Sequence, residues 1–412
     1  MKAIERTSVS ARPGTASPET VIERVGRSVR EHYPLARGLV LTGSAARGEE
    51  TILPTTSGSL WLSDLELLVV VPDEVERVAQ CDLLDLVASR ISAGLRRDGI
   101  AVEVELTPVQ QRYFTRMRPH IFAYELLMNG RQLFGDRDYC ALLPKFHPWD
   151  ISDEDAWRLI SNRIVEWLSL QLSSRTARTE SQFYAVAKQY LDLVTALSLF
   201  CGRYAASYDG RRESVLTICE WMQHRISSFP SRDFMQFAET AFEFKVRPEN
   251  RKFEWVLRPE AGEFDAAAAK AGFGPMVSEL PRLLSMAWWA ALAEMHEGVV
   301  RSREDALTAL SQVYGWEGVV RGWGKLIVRP EGRAGGAFYS RMARLFWSGS
   351  PRSLVYACSA QLLASYGKQD TRALRWVRSH LPVLYGPKAV DWRSLAQQCV
   401  WNWERYLRRG YV

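Results

Sequence analysis

The stretch DLELLVVVP, residues 64–72, constrains the fold more than any other part of the chain. After its first three residues it is a run of Leu and Val, which predicts a strand buried in the middle of a sheet. Its head has a different chemistry. Asp64 and Glu66 flank Leu65, and residues two apart on a strand face the same way, with Cα atoms roughly 6–7 Å apart. Two carboxylates side by side on one sheet face repel each other. A cation held between them removes that cost.

The surrounding pattern predicts a small α/β unit. Residues 18–36 read as a helix, with Ser17 or Thr20 near its start, Val21, Ile22, Val25 and Val29 at helical spacing, and Pro34 as its stop. RGLVLTG, 37–43, reads as a strand. RGEETILPTTSGSLWLS, 47–63, is a polar connection with room for a hairpin or flap. Residues 73–99 form an amphipathic pattern ending at Gly99. IAVEVELTPV, 100–109, alternates, with Val102, Val104 and Leu106 on one face and Glu103, Glu105 and Thr107 on the other. The expected fold class is α+β: a small mixed sheet with helices on one face, closed by a helix and a Gly-marked turn in 124–139. The Pro-containing bridge at 142–155 marks a boundary.

Beyond it the pattern is helical, with apolar residues every three or four positions in 155–174, 181–204, 275–298 and 351–367. The expected division is a disordered lead-in at 1–17, an α/β domain at 18–148 and an α-helical domain at 149–412, with a subdomain break near 300. The chain has 412 residues and a net charge of +6. Residues 1–150 hold 18 Lys and Arg against 20 Asp and Glu, so the basic excess belongs to the helical part. That asymmetry suits metal ions on one side and a polyanion on the other, but most of the arginines are read as a solvated, mildly basic helical surface.

No stretch approaches the ~20 apolar residues that span a bilayer, and the N-terminus lacks an apolar signal core. A cytoplasmic protein without a membrane partner is expected. The six cysteines contain no CxxC pair and the six histidines no HxH or HExxH spacing, so neither a disulfide frame nor a zinc site is expected.

LVLTGSAARGEE, 39–50, leaves its strand through Gly43 and Ser44 and plants Arg47 beside them. Such a bend can turn backbone N–H groups and a hydroxyl toward phosphates, and Arg47 adds a charge-assisted contact. Asp64, Glu66 and a third acid from the next strand are hard oxygen ligands suited to Mg²⁺. Two such ions about 3.5–4 Å apart stabilise the attacking and leaving oxygens of phosphoryl or nucleotidyl transfer.

In this order LTGSAARG, SDLEL and VEVEL resemble the nucleotidyltransferase superfamily typified by DNA polymerase β, especially its minimal and antibiotic-modifying branches. The resemblance covers about residues 20–145. It implies metal ligands at Asp64, Glu66 and Glu105, with Glu103 as the alternative third acid, and catalysis by Asp64, Glu66 and Glu105. It implies nucleotide contacts at Gly43, Ser44 and Arg47. A lysine from the helical domain reaches the triphosphate in related transferases, which points to Lys188. Three departures stand out: 19 residues separate Ser44 from Asp64, and the second and third acids are both Glu.

The expected activity is Mg²⁺-dependent transfer of a nucleoside monophosphate from an NTP such as ATP to a hydroxyl of a small molecule, releasing pyrophosphate, with Mn²⁺ as an alternative ion. RNA or protein hydroxyls are alternative acceptors. A nucleotide-binding protein of the same fold with weak turnover is a further alternative.

Overall fold

Burial of short apolar strands organises the N-terminal part of the computed structural model, which describes residues 16–55, 58–75, 77–172, 179–248, 253, 266–296, 302–328, 335–368, 370–383 and 391–407. The chain divides into two units, 1–147 with 243–257, and 148–242 with 258–412. Most of the expected lead-in and the break suggested near 300 lie outside the described residues.

In the first unit, Ser17 caps helix Pro18–His32 (α1), its hydroxyl accepting the Thr20 N–H at 3.2 Å, with Pro18 in the first turn. Strand Gly38–Leu41 (β1) follows, then the one-turn helix Gly43–Ala46 (α2). Ile52–Thr55 (β2) and Gly58–Trp61 (β3) pair as an antiparallel hairpin within the long connection. Next come Leu65–Val70 (β4), Arg77–Arg97 (α3), Ile100–Ala101 (β5), Val104–Val109 (β6), Gln111–Thr115 (α4), Ile121–Asn129 (α5) and Arg131–Gly135 (β7).

These strands make two small mixed sheets, ordered β6-β4-β1-β7 and β2-β3-β5. In the first, β4 runs antiparallel to β1 and parallel to β6, while β7 pairs antiparallel with β1. The expected single strand at 100–109 is split. Ile100 and Ala101 pair with the hairpin, whereas Val104–Val109 pair with β4, so Glu103 stands at the break.

Helices cover both faces of the four-stranded sheet, a correction to the one-faced arrangement expected above. Leu39, Leu41, Leu65, Leu67 and Val69 pack with Val25 and Val29 of α1 and Leu84 and Ile91 of α3. Val40, Leu68 and Val70 pack on the other side with Phe114 of α4 and Ala123 and Leu126 of α5. The physical reason lies in the strands. Leu39, Val40 and Leu41 are successive apolar residues that point to alternate faces, so a cover on one face would leave Val40 in water.

Every regular secondary-structure element described in the second unit is helical. Asp153–Leu172 (α6) and Thr179–Phe200 (α7) are followed by Tyr208–Arg212 (α8), Val215–Arg225 (α9) and Ser231–Val246 (α10), whose residues from Glu243 onward belong to the first unit. Further helices span Ala266–Met295, Arg303–Val328, Gly335–Leu345, Pro351–Ala364, Thr371–His380 and Trp392–Asn402. Trp157 packs against Trp288 and Tyr356, and the Trp288 indole donates to Ser161 Oγ at 3.0 Å. All six cysteines are free thiols. No described helix is long and apolar enough to cross a membrane.

The segment after β7 gives one measurable property. Tyr139 is buried over Gly38, and its hydroxyl donates to Asp136 Oδ1 at 2.6 Å. That bond holds the Asp136 carboxyl below its ordinary value, and burial pushes the Tyr139 phenol up to about 12. A lowered carboxyl stabilises the fold above the ordinary aspartate range and loses that contribution as pH falls through the lowered value. Tyr139→Phe is expected to cost about 1 kcal/mol near neutral pH, and the gap in urea midpoint from wild type should narrow on acidification. A gap constant across that range would show that the bond does not depend on the carboxylate charge.

Candidate functional site

The sheet places two of the expected acids opposite each other. In the parallel pairing of β4 with β6, Glu66 is the register partner of Glu105. Neighbouring strands lie about 4.8 Å apart and register partners project to the same face, so both carboxylates leave one face of the sheet at one end of the strand pair. Glu66 is half-buried and Glu105 exposed. Asp64 is exposed immediately before β4, where the Leu65 N–H donates to the Glu103 carbonyl at 2.9 Å. Glu103 is exposed as well.

The bend at Gly43 is built against the same carboxylate. The Thr42 N–H donates to the Glu66 carbonyl at 2.9 Å, and Thr42 Oγ1 accepts the Gly43 N–H at 2.6 Å. Gly43 has φ +68°, a left-handed conformation that L side chains rarely adopt. A Cβ added there would lie 2.5 Å from Glu66 Oε2. The positive φ is what favours glycine here, with the flexible end of the Glu66 side chain packed over it. Ser44 enters α2, and its carbonyl accepts the N–H groups of Arg47 and Glu49 at 3.1 and 2.9 Å.

Arg47 has partners that the sequence reading did not name. Its side chain is only 5% exposed, with Nε donating to Glu49 Oε2 at 2.6 Å and Nη1 to Glu125 Oε2 at 2.8 Å. The expectation for Arg47 is a phosphate contact; in the structure its guanidinium pairs with two carboxylates of the protein itself. Glu125 comes from α5, 78 residues away, and no local spacing signals it.

Lys188 belongs to the helical unit, on α7. Burial and Arg163 push its ammonium pKa down, but Tyr184, Glu166 and Asp192 outweigh them and hold it above its ordinary value. Arg163 in turn pairs with Glu166, and with Asp192 at 3.3 Å.

Among the described residues, no three His, Cys, Asp or Glu side chains are gathered as a metal-holding set. The acids at 64, 66 and 105 nevertheless fit Mg²⁺ in chemistry. Mg²⁺ takes hard oxygen ligands, is commonly held by one or two carboxylates, and fills its remaining positions with water and substrate phosphates.

Sequence reasoning also missed Lys245. It is buried at helical spacing from Ala238, Ala241 and Phe242, all on the apolar face of α10. A lysine at that spacing on an apolar stripe was the available signal.

No known protein family, curated protein or solved structure matches the chain.

Two substitutions probe this geometry. Gly43→Ala is expected to cost about 1–3 kcal/mol in urea unfolding, from the strained φ and the collision with Glu66. Part of that cost should disappear in a Glu66→Ala background, as a double-mutant cycle would show. Arg47→Ala leaves two largely buried carboxylates facing each other and is expected to cost about 3 kcal/mol. A loss below about 0.5 kcal/mol would assign the pairing to the weak surface class.

Proposed function

We propose that the first unit is a Mg²⁺-dependent nucleotidyltransferase of the polymerase-β type, moving a nucleoside monophosphate from an NTP to a hydroxyl of a small molecule. The observation that carries this reading is the register pairing of Glu66 with Glu105, together with the packing of the Glu66 carboxylate over the Gly43 bend. Two register-paired acids beside a positive-φ glycine bend suit a ligand that is both phosphorylated and metal-bound.

In this reading Asp64, Glu66 and Glu105 hold the cation, while Gly43, Ser44 and Arg47 contact the phosphates. When bound, Mg²⁺ supplies charge neutralisation on the phosphate oxygens and orients them. Glu105 accepts the proton of the acceptor hydroxyl. The acceptor oxygen then bonds to the α-phosphorus as the α–β phosphoanhydride P–O bond breaks, and pyrophosphate leaves with the electron pair.

A second reading has its own support. The pairing of Arg47 with Glu49 and Glu125 favours a nucleotide-binding protein with weak turnover, because a phosphate must compete with two carboxylates for one guanidinium.

Pyrophosphate release with each NTP and Mg²⁺ or Mn²⁺ distinguishes the two. Wild type is expected to release pyrophosphate with at least one NTP. Asp64→Ala and Glu66→Ala should slow it about 100-fold or more, or about 2.7 kcal/mol of transition-state stabilisation. Equal signals from all three proteins would remove the catalytic assignment. Metal-dependent NTP binding without release across small-molecule, RNA and protein acceptors would select the second reading.

A further inference from the structure

Residues 243–257 return to the first unit and bring a buried lysine to the residue that precedes Asp64. Lys245 is 2% exposed. Its Nζ donates to Ser63 Oγ at 2.7 Å, and its carbonyl accepts from Thr51 Oγ1 at 3.1 Å. Ser63 Oγ also accepts the Thr51 N–H at 2.9 Å, and the Leu62 N–H donates to the Thr51 carbonyl at 2.9 Å. Thr51 and Ser63 are both buried. Thr51 stands just before β2 and Ser63 just after β3, so these bonds join the two ends of the hairpin to a segment more than 180 residues away.

Burying an ammonium is costly unless it is hydrogen-bonded. An apolar side chain of similar length would fill the same volume without that cost. What the lysine adds is direction. Ser63 Oγ accepts from two donors, Thr51 N and Lys245 Nζ, and its position is set by both.

We propose that Lys245 is a positioning residue for the acidic site: through Ser63 it fixes where the chain turns out of the hairpin into β4, and so where the Asp64 carboxylate points. Lys245 acts through Ser63 on a metal ligand and is not itself assigned to substrate. The inference rests on the nucleotidyl-transfer reading of the first unit, and it adds a residue that no sequence pattern around the site contains.

The test uses the full chain and the metal alone as probe. Mn²⁺ binding is followed by electron paramagnetic resonance, and Mg²⁺ is titrated against pyrophosphate release, for wild type, Asp64→Ala, Lys245→Met, Ser63→Ala and the Lys245→Met/Ser63→Ala double variant. Lys245→Met is expected to raise the metal concentration at half-saturation about 10–100-fold, the range for outer partners of metal ligands. Ser63→Ala should do the same, and the double variant no more than either single one. A lysine with a merely structural role would lower the unfolding midpoint and leave the metal dependence unmoved.

Ser63→Ala, the smaller change, decides the matter if Lys245→Met does not fold. Asp64-dependent metal binding that is unaltered in the foldable variants overturns the positioning role alone, as do strictly additive shifts. Equal Mn²⁺ binding by wild type and Asp64→Ala overturns the nucleotidyl-transfer reading, and this inference with it.

Discussion

Strand β4 is the element on which the first unit depends, because its register decides which side chains are buried and which reach the acidic end. Leu65, Leu67 and Val69 belong to one core, and Leu68 and Val70 to the other. A slip of one residue against β1 or β6 would exchange these two sets and carry Glu66 to the opposite face. The core thus fixes the position of a carboxylate that it does not itself contain. Gly43 adds a local constraint, since the Thr42–Glu66 backbone bond and the contact of Gly43 with the Glu66 carboxylate hold the end of β1 against the start of β4.

Much of this was legible in the sequence where the signal is local. The Ser17 cap, the valine stripe of α1, the apolar run of β4 and the hairpin within 47–63 are all written in neighbouring residues. The break between Ala101 and Val104 was not. Its cause is pairing: β5 follows β3 and β6 follows β4, and a continuous alternation carries no mark of a change of partner. Strand β7 was also missed, because RQLFG is short, half-polar and only partly buried, and it becomes a strand by pairing with β1. The cover on both faces follows from Val40, which a reading of the helices alone overlooks.

The site shows the same division. Asp64, Glu66 and Glu105 were singled out because a strand's period of two is a strong local rule. Of the two candidate third acids, Glu105, not Glu103, is the register partner of Glu66. Arg47 was singled out as a phosphate contact for its setting among small residues, and the groups it meets in the structure are carboxylates of the chain. The partners come from Glu49 and from a helix that begins 74 positions later in the chain. Side-chain pairing at that range follows from the fold, whereas charge type follows from composition.

The balance of charge around Arg47 bears on how strongly the site would draw an anion. A guanidinium already paired with two carboxylates offers a polyphosphate less attraction than an unpaired one would. Asp64, Glu66 and Glu105 add further negative charge at the end of β4. In the proposed reaction, attraction for a polyphosphate therefore comes mainly from the cation that arrives with it, since a metal ion is often the largest local charge in such a site. Besides the phosphate contact proposed for it, Arg47 ties the end of α2 to α5 through Glu125.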